Sequence, residues 1–228
     1  TMVLIGALMT SITIYNFFTT PKAESTDAYK AAETEDKPSF GKVFSSFFQK
    51  KQIGLILAFI LLFRLGEAQL LKMLNPFLMD PIDKGGLGLS TESIGLIYGT
   101  FGIIALVIGG ILGGISISKS GLKKWMLPMV LAMRIPIFGF VLLAHFQPES
   151  QIYIYLTIIL EQFGYGFGFA AFMMYLIYVA EGEFKTSHYS IATGFMALGM
   201  MLPGMISGYI QEYLGYENFF IWIIISTI

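Results

Sequence analysis

The sequence predicts an all-α, polytopic membrane protein, and three observations support that fold class. Of the 228 residues, 55% are hydrophobic and only 13% are charged, whereas about 25% of a soluble domain is charged. The apolar stretches reach about 20 residues or more, enough to cross a hydrocarbon core about 30 Å thick. No alternation of apolar and polar residues persists within them, which argues against strands. Lipid must therefore contact much of the surface.

Seven apolar segments are separated by polar loops, and they are expected to be membrane helices. They run roughly over 1–18, 53–79, 93–117, 125–145, 152–180, 189–210 and 218–228. The first and last are too short for a full span. We therefore expect 1–18 to be the end of a preceding helix and 53–228 to be a bundle whose last helix is truncated, within a longer protein.

Residues 19–52 form the longest polar stretch, with six lysines and five acidic residues. This composition predicts a solvated linker. Its last part, "FGKVFSSFFQKK", fits either an amphipathic helix at the membrane interface or a disordered connector. The loops at 19–52, 118–124 and 181–188 together hold ten lysines, whereas the intervening loops hold only Lys84. The positive-inside rule then makes the lysine-rich loops, and the linker with them, cytoplasmic.

Several classes of site are disfavoured by composition. The absence of cysteine excludes disulfides and thiolate metal sites, and the two histidines, His145 and His188, are too far apart for a zinc motif. We expect no metal and no cofactor. A net charge of −1 gives no reason to expect a nucleic acid partner. No nucleophile–base or paired-aspartate pattern falls within the apolar segments, so we do not expect an enzyme.

The stretch "LLFRLGEAQLLKMLNPF" at 61–77 places charges inside a segment that is otherwise apolar. A charge at the bilayer centre costs about 2.5–3.5 kcal/mol, so it usually faces protein or water. On a helical wheel Glu67, Lys72 and Asn75 all lie within about 80° of Arg64. We expect Arg64, Glu67 and Asn75 to line a water-filled substrate path, with Asn75-Pro76 interrupting the helix. For Lys72, a place at the outer interface is slightly favoured over one in the path. Alternatively, Arg64 and Glu67 pair only to fix packing.

Glu161 is the second candidate, about ten residues into the segment 152–180. Tyr165 and Tyr175 lie within about 40° of it on the wheel, giving a polar, aromatic face. A buried carboxylate can carry a proton, and the rings can stack on a sugar or a base. The alternative is a carboxylate that only hydrogen-bonds neighbouring helices. For Arg134, pairing with a carboxylate and a place near the cytoplasmic boundary are equally compatible with the sequence.

Three passages resemble AmpG-type permeases of the major facilitator superfamily, which group with acetyl-coenzyme A transporters. They are "RLGEAQLLKMLNPFLMD", "EQFGYGFGFAAFMMYLIYVAEGEF" and "HYSIATGFMALGMMLPGMISGYIQEYLGYENFF". The order of one helix, a long linker and six helices is also similar to the second half of that fold. The resemblance covers about residues 50–228.

This resemblance implies a secondary active transporter of the bacterial inner membrane. Such permeases import muropeptides, the anhydro-muramyl peptides of peptidoglycan recycling, by proton symport. The expected partners are the small-molecule substrate, protons, membrane lipid and a missing N-terminal six-helix half. Candidate substrate-binding residues are Arg64, Glu67, Asn75, Glu161, Tyr165 and Tyr175. Among them, Arg64 is expected to bind a substrate carboxylate, and Glu161 and Glu67 to couple protons. Two alternatives stay open: a carrier of acetyl-coenzyme A or another organic anion, and a non-transporting membrane subunit.

Overall fold

The structure, a computed structural model, describes residues 2–19 and 39–227, and every long element in those ranges is a helix. The helices are α1 (Met2–Thr19), α2 (Phe40–Phe48), α3 (Ile53–Phe63), α4 (Leu65–Met79), α5 (Thr91–Leu96), α6 (Ile103–Ser120), α7 (Leu122–Arg134), α8 (Ile137–Phe146), α9 (Gln151–Ala180) and α10 (Lys185–Ile225). A 3₁₀ turn at Ile82–Lys84 follows α4, and a π-helical turn at Ile97–Gly102 joins α5 to α6. The all-α class is confirmed for the described residues.

Five helical stretches of the described chain are long and apolar enough to cross a membrane. They are Ile53–Met79, Thr91–Ser120, Leu122–Phe146, Gln151–Ala180 and Lys185–Ile225. The prediction of a multi-pass membrane bundle is therefore confirmed. The helix α1, described by itself, is shorter and apolar, and its side chains are exposed from Ile5 to Thr19. Much of the predicted linker, residues 20–38, lies outside the described residues.

The last stretch contains a bend at Gly215, where φ is 72° and ψ is 167°. Such a positive φ is open to glycine at little steric cost. Before the bend, α10 runs beside α3 and α4 in the same direction. A Cβ added at Gly199 would lie 3.1 Å from the Cα of Leu61, and one at Gly204 would lie 3.2 Å from the Cγ of Lys72.

After the bend the order of contacts reverses. The hydroxyl of Tyr216 donates to the Oδ2 atom of Asp80 at 2.6 Å. Further along, the Nε1 atom of Trp222 donates to the Oε1 atom of Gln69 at 3.0 Å. The residue numbers of the contacted α4 residues now decrease as the residue numbers in α10 increase, so Tyr216–Ile225 runs antiparallel to α4. The two segments predicted at 189–210 and 218–228 are thus separate passages joined by a turn.

The loops alternate between the two ends of the bundle. At one end, the side-chain amide of Gln147 donates to the carbonyl oxygens of Ile82 and Gly86 at 3.1 and 3.0 Å. At the same end the Nδ1 atom of His145 lies 2.9 Å from the Oε1 atom of Glu217. The loops after α4, α8 and the first part of α10 therefore meet, and these are loops that the lysine count predicts to be outside.

At the other end the segment before α3 joins the loop between α9 and α10. The Nζ atom of Lys50 donates to the carbonyl oxygen of Glu181 at 2.7 Å. The hydroxyl of Ser46 lies 2.9 Å from the Nε2 atom of His188, and the side chain of Phe47 is fully buried. Of the two readings of "FGKVFSSFFQKK", the amphipathic helix is the one observed, as α2, and its buried face packs on this end of the bundle.

Glycines allow α9 to lie at the centre of the bundle against α6. A Cβ added at Gly109 would lie 2.2 Å from the carbonyl oxygen of Phe163. One added at Gly166 would lie 2.1 Å from the carbonyl oxygen of Leu106. Both neighbours are backbone atoms of a packed helix, so they cannot rotate away. Small residues of this kind let membrane helices approach closely.

We therefore expect Gly109→Ala to destabilise the bundle, by about 1–3 kcal/mol, because overpacking forces the two backbones apart. The matched control is Gly114→Ala in the same helix, where nothing lies within 4 Å of an added Cβ. Thermal unfolding of the detergent-purified full-length protein measures both variants. Equal melting temperatures for the two would contradict the close α6–α9 contact.

Candidate functional site

A break in the first membrane stretch places a buried arginine between two helices. The helix α3 ends at Phe63, α4 begins at Leu65, and Arg64 between them has φ −93° and ψ −3°. The predicted interruption at Asn75-Pro76 is wrong, because α4 continues through Pro76 to Met79. Since Pro76 lies in the last turn of α4, little helix follows the hydrogen bond that it removes.

A second break lies in the neighbouring stretch Leu122–Phe146. The helix α7 ends at Arg134 and α8 begins at Ile137, with Pro136 between them. Proline has no N–H to continue the helical ladder, which accounts for an interruption here. The two breaks touch, because the Nη2 atom of Arg134 donates a hydrogen bond to the carbonyl oxygen of Phe63. An arginine therefore stands at each break.

Arg64 is enclosed by α9 and α10. Its side chain is 1% exposed, and its Nη2 atom donates to the hydroxyl of Tyr165 at 3.2 Å and to the sulfur of Met200 at 2.9 Å. The guanidinium carbon lies 5.4 Å from the ring centre of Tyr165 and 5.1 Å from that of Phe169. Cation–π contacts of this kind stabilise a desolvated guanidinium.

Two glutamates complete a buried charge cluster, by which we mean Arg64, Glu67, Arg134 and Glu161. Glu67 and Glu161 are each 1% exposed, and the Oε2 atom of Glu161 accepts a hydrogen bond from Gln162 at 2.8 Å. Glu67 interacts electrostatically with both arginines, and Glu161 interacts with Glu67. With two cations and two anions, the cluster has no net charge when all four groups are ionised.

The cluster is not closed by direct contacts. No ion pair within 4 Å joins Arg64 to Glu67 in the described ranges, so the pairing stated as the alternative is not formed. Several buried polar atoms also have no hydrogen-bond partner among the described residues. They are the Nε and Nη1 atoms of both arginines, the Oε1 atom of each glutamate and the hydroxyl of Tyr98. Buried donors and acceptors of this kind are usually bridged by ordered water. The two carboxylates are the groups of the cluster that can take up and release a proton.

The predicted site residues divide into two groups. Arg64, Glu67 and Glu161 lie inside the bundle, with Tyr165 partly buried beside Arg64. Asn75 lies on an exposed face of α4.

The expectation that Arg64, Glu67 and Asn75 together face an open water path is therefore wrong. Lys72 is exposed, as Asn75 is, whereas Arg64 and Glu67 are enclosed. Glu67 and Lys72 are about 140° apart on the wheel, so one can be enclosed while the other stays exposed. Tyr175, at the far end of α9, packs its ring 4.5 Å from that of Phe59.

Sequence reasoning missed two members of this region. The sequence leaves the place of Arg134 open, although Pro136 two residues later marks a helix break. Tyr98 carries no charge that would single it out in the sequence, yet its hydroxyl is buried and interacts with both glutamates. A groove of about 360 Å³ between α8 and α9 is apolar and contains no member of the charge cluster.

Comparison with known proteins agrees with this architecture. No family model matches the chain. It is 27% identical over 194 residues to "Putative transporter AmpG 1" of Rickettsia prowazekii, covering 82% of this chain and 42% of that protein. It is 28% identical over 185 residues to "Putative transporter AmpG 4" of Rickettsia felis, covering 81% and 43%. The chain is similar to proteins named AmpG.

The resemblance to AmpG-type transporters that the three sequence passages carry is thus confirmed. The chain spans less than half the length of the AmpG-named relatives that it matches. A third relative, "Putative transporter AmpG 2" of Rickettsia typhi, is 27% identical over 185 residues, which cover 80% of this chain and 44% of that protein. The buried charge cluster therefore lies in the part of this chain that the AmpG-named proteins resemble.

We expect Arg64→Met to destabilise the bundle by about 3–5 kcal/mol, because it leaves a buried carboxylate without one of its two cations. The double variant Arg64→Met/Glu67→Gln should regain much of this loss, since it restores the charge balance of the cluster. Thermal unfolding of the full-length protein in detergent measures both. Lys72→Met, on the exposed face, is the control and should change little. A double variant no more stable than the single one would argue against charge balance.

Proposed function

We propose that the full-length protein containing this chain is a proton-coupled secondary transporter that imports muropeptides across the bacterial inner membrane. Residues 53–228 are then the second six-helix half of a major facilitator fold, 1–18 the end of the first half and 19–52 the cytoplasmic linker. The loop alternation, the turn at Gly215 and the similarity to AmpG-named proteins support this proposal.

One observation carries the proton-coupling part of the proposal: two buried carboxylates, Glu67 and Glu161, share one cluster with two arginines. Adding one proton to this cluster leaves two cations facing one anion. In a low dielectric such an imbalance changes the relative energies of helix arrangements by several kcal/mol. A proton bound here therefore favours a different arrangement of the helices, which is what coupling requires.

The substrate part of the proposal rests on a different surface. The exposed face of α4 carries Lys72 and Asn75, one cation and one amide at membrane depth. Because such groups avoid lipid, we assign this face to the cavity shared with the missing half, where it binds a carboxylate and an amide of the muropeptide. We also assign Tyr165 and Tyr175, on α9, to cargo binding, in which their rings would stack on the sugar. Arg64 is assigned to the charge cluster in the enclosed state, and reaches cargo only if α9 and α10 separate.

We expect Glu161→Gln to reduce at least tenfold the accumulation of muropeptide that a proton gradient drives, because the amide cannot take up and release a proton. Exchange of labelled for unlabelled muropeptide at equal pH should persist, since it needs no net proton movement. Uptake into proteoliposomes with and without an imposed pH gradient measures both. Glu92→Gln, at an exposed site in the first turn of α5, is the matched control.

Two results would contradict the proposal. Gradient-driven accumulation by Glu161→Gln at the wild-type level removes Glu161 from coupling. If acetyl-coenzyme A inhibits uptake and unlabelled muropeptide does not, the cargo is a nucleotide-bearing anion and not a muropeptide.

A further inference from the structure

The end of α3 is stabilised by a residue of another helix. The last carbonyl groups of a helix have no donor within it and carry partial negative charge. At the α3–α4 break the carbonyl oxygen of Phe63 accepts a hydrogen bond from the Nη2 atom of Arg134. The guanidinium carbon of Arg134 also lies 5.9 Å from the centre of the Phe63 ring. A cation from α7 thus caps the negative end of α3.

The start of α4 has the opposite arrangement. Its first turn contains Glu67 and carries the positive end of the helix dipole, which attracts an anion. Glu67 and Arg134 therefore complement the two ends of one broken helix, and they also interact with each other. At this break, which we call the junction, each helix end therefore faces a side chain of opposite charge.

The junction has little free space. A Cβ added at Gly66 would lie 3.0 Å from the Nη1 atom of Arg134 and 2.2 Å from the Cγ2 atom of Thr227. Arg134 therefore lies against the first turn of α4, where Thr227 also approaches Gly66. The other charged or titratable groups that interact within this region are Arg64 beside Arg134, Glu161 on α9 and Tyr98 on the π-helical turn.

We propose that Arg134 is a positioning residue that holds the α3–α4 break and so keeps Glu67 in place to bind the transported proton. This inference rests on the proposed function. While Glu67 is ionised, it and the Phe63 carbonyl both attract Arg134. Once Glu67 is protonated, only the carbonyl does, and the two parts of the broken helix can change their angle. The break is thus the element that converts proton binding into helix movement.

The test compares Arg134→Gln, Arg134→Lys and the control Lys124→Gln, an exposed position near the start of the same helix α7. Spin labels are placed on cysteines at Leu55 and Met79, exposed sites on either side of the break. This chain has no other cysteine, and any cysteine elsewhere in the full-length protein is replaced first. Distance distributions are recorded in the full-length protein, alongside muropeptide uptake as a function of pH.

We expect Arg134→Gln to broaden or shift the distance distribution and to reduce gradient-driven uptake at least tenfold. Any residual uptake should have its midpoint at higher pH, because Glu67 has lost a neighbouring cation. Arg134→Lys should keep a wild-type distance distribution and regain at least a third of the uptake, since an ammonium group can still donate to the Phe63 carbonyl. The control should match wild type in both measurements.

Wild-type distances and an unchanged pH midpoint in Arg134→Gln would overturn the inference while leaving the proposed transport function standing. An altered distance distribution, in a protein whose wild type shows no muropeptide uptake, would instead refute the proposed function and with it the proton role of the break. If Arg134→Gln does not reach the membrane, Arg134→Lys decides: wild-type distances with at least a third of the wild-type uptake support the inference, and wild-type uptake with an altered distance distribution overturns it, because the break would then change without affecting transport.

Discussion

The hydrogen bond from Arg134 to the Phe63 carbonyl links the two broken stretches of the bundle. Without it, a helix end with an unpaired carbonyl and a buried guanidinium would each lack a partner in a medium that offers no water. The interaction pairs the Phe63 carbonyl with the Nη2 atom of Arg134 at the point where α3 ends. Arg64 stands at the break itself, and Glu67 follows in the first turn of α4.

The rest of the bundle makes this junction possible by packing closely. Gly109 and Gly166 let α6 and α9 touch along their backbones, which brings Glu161 towards the other charges. The turn at Gly215 returns the chain along α4, so that its last residues close the junction beside Gly66. Buried charge is tolerated here because opposite charges are balanced and dipoles are complemented, while lipid contacts the apolar outer faces.

Much of the fold and part of the site could be predicted from the sequence. The positions of the apolar segments, the separation of the last two of them and the burial of Glu161 follow from hydropathy and from the cost of exposing a charge to lipid. The break was expected at Pro76 and occurs at Arg64, because a proline in a last turn removes little. The split between enclosed Glu67 and exposed Asn75 could not be predicted, since a wheel does not say which neighbour covers which face.

The sequence by itself determined that this chain forms membrane helices and that a few charges must avoid lipid, since both depend only on local composition and on the bilayer as solvent. Tertiary structure alone decided which charges meet. Arg134 lies 70 residues from Arg64 in the chain, and only the packing of α7 and α9 against the broken first stretch brings the four together. Contacts between distant segments depend on how whole helices pack, and no periodicity within one segment encodes that.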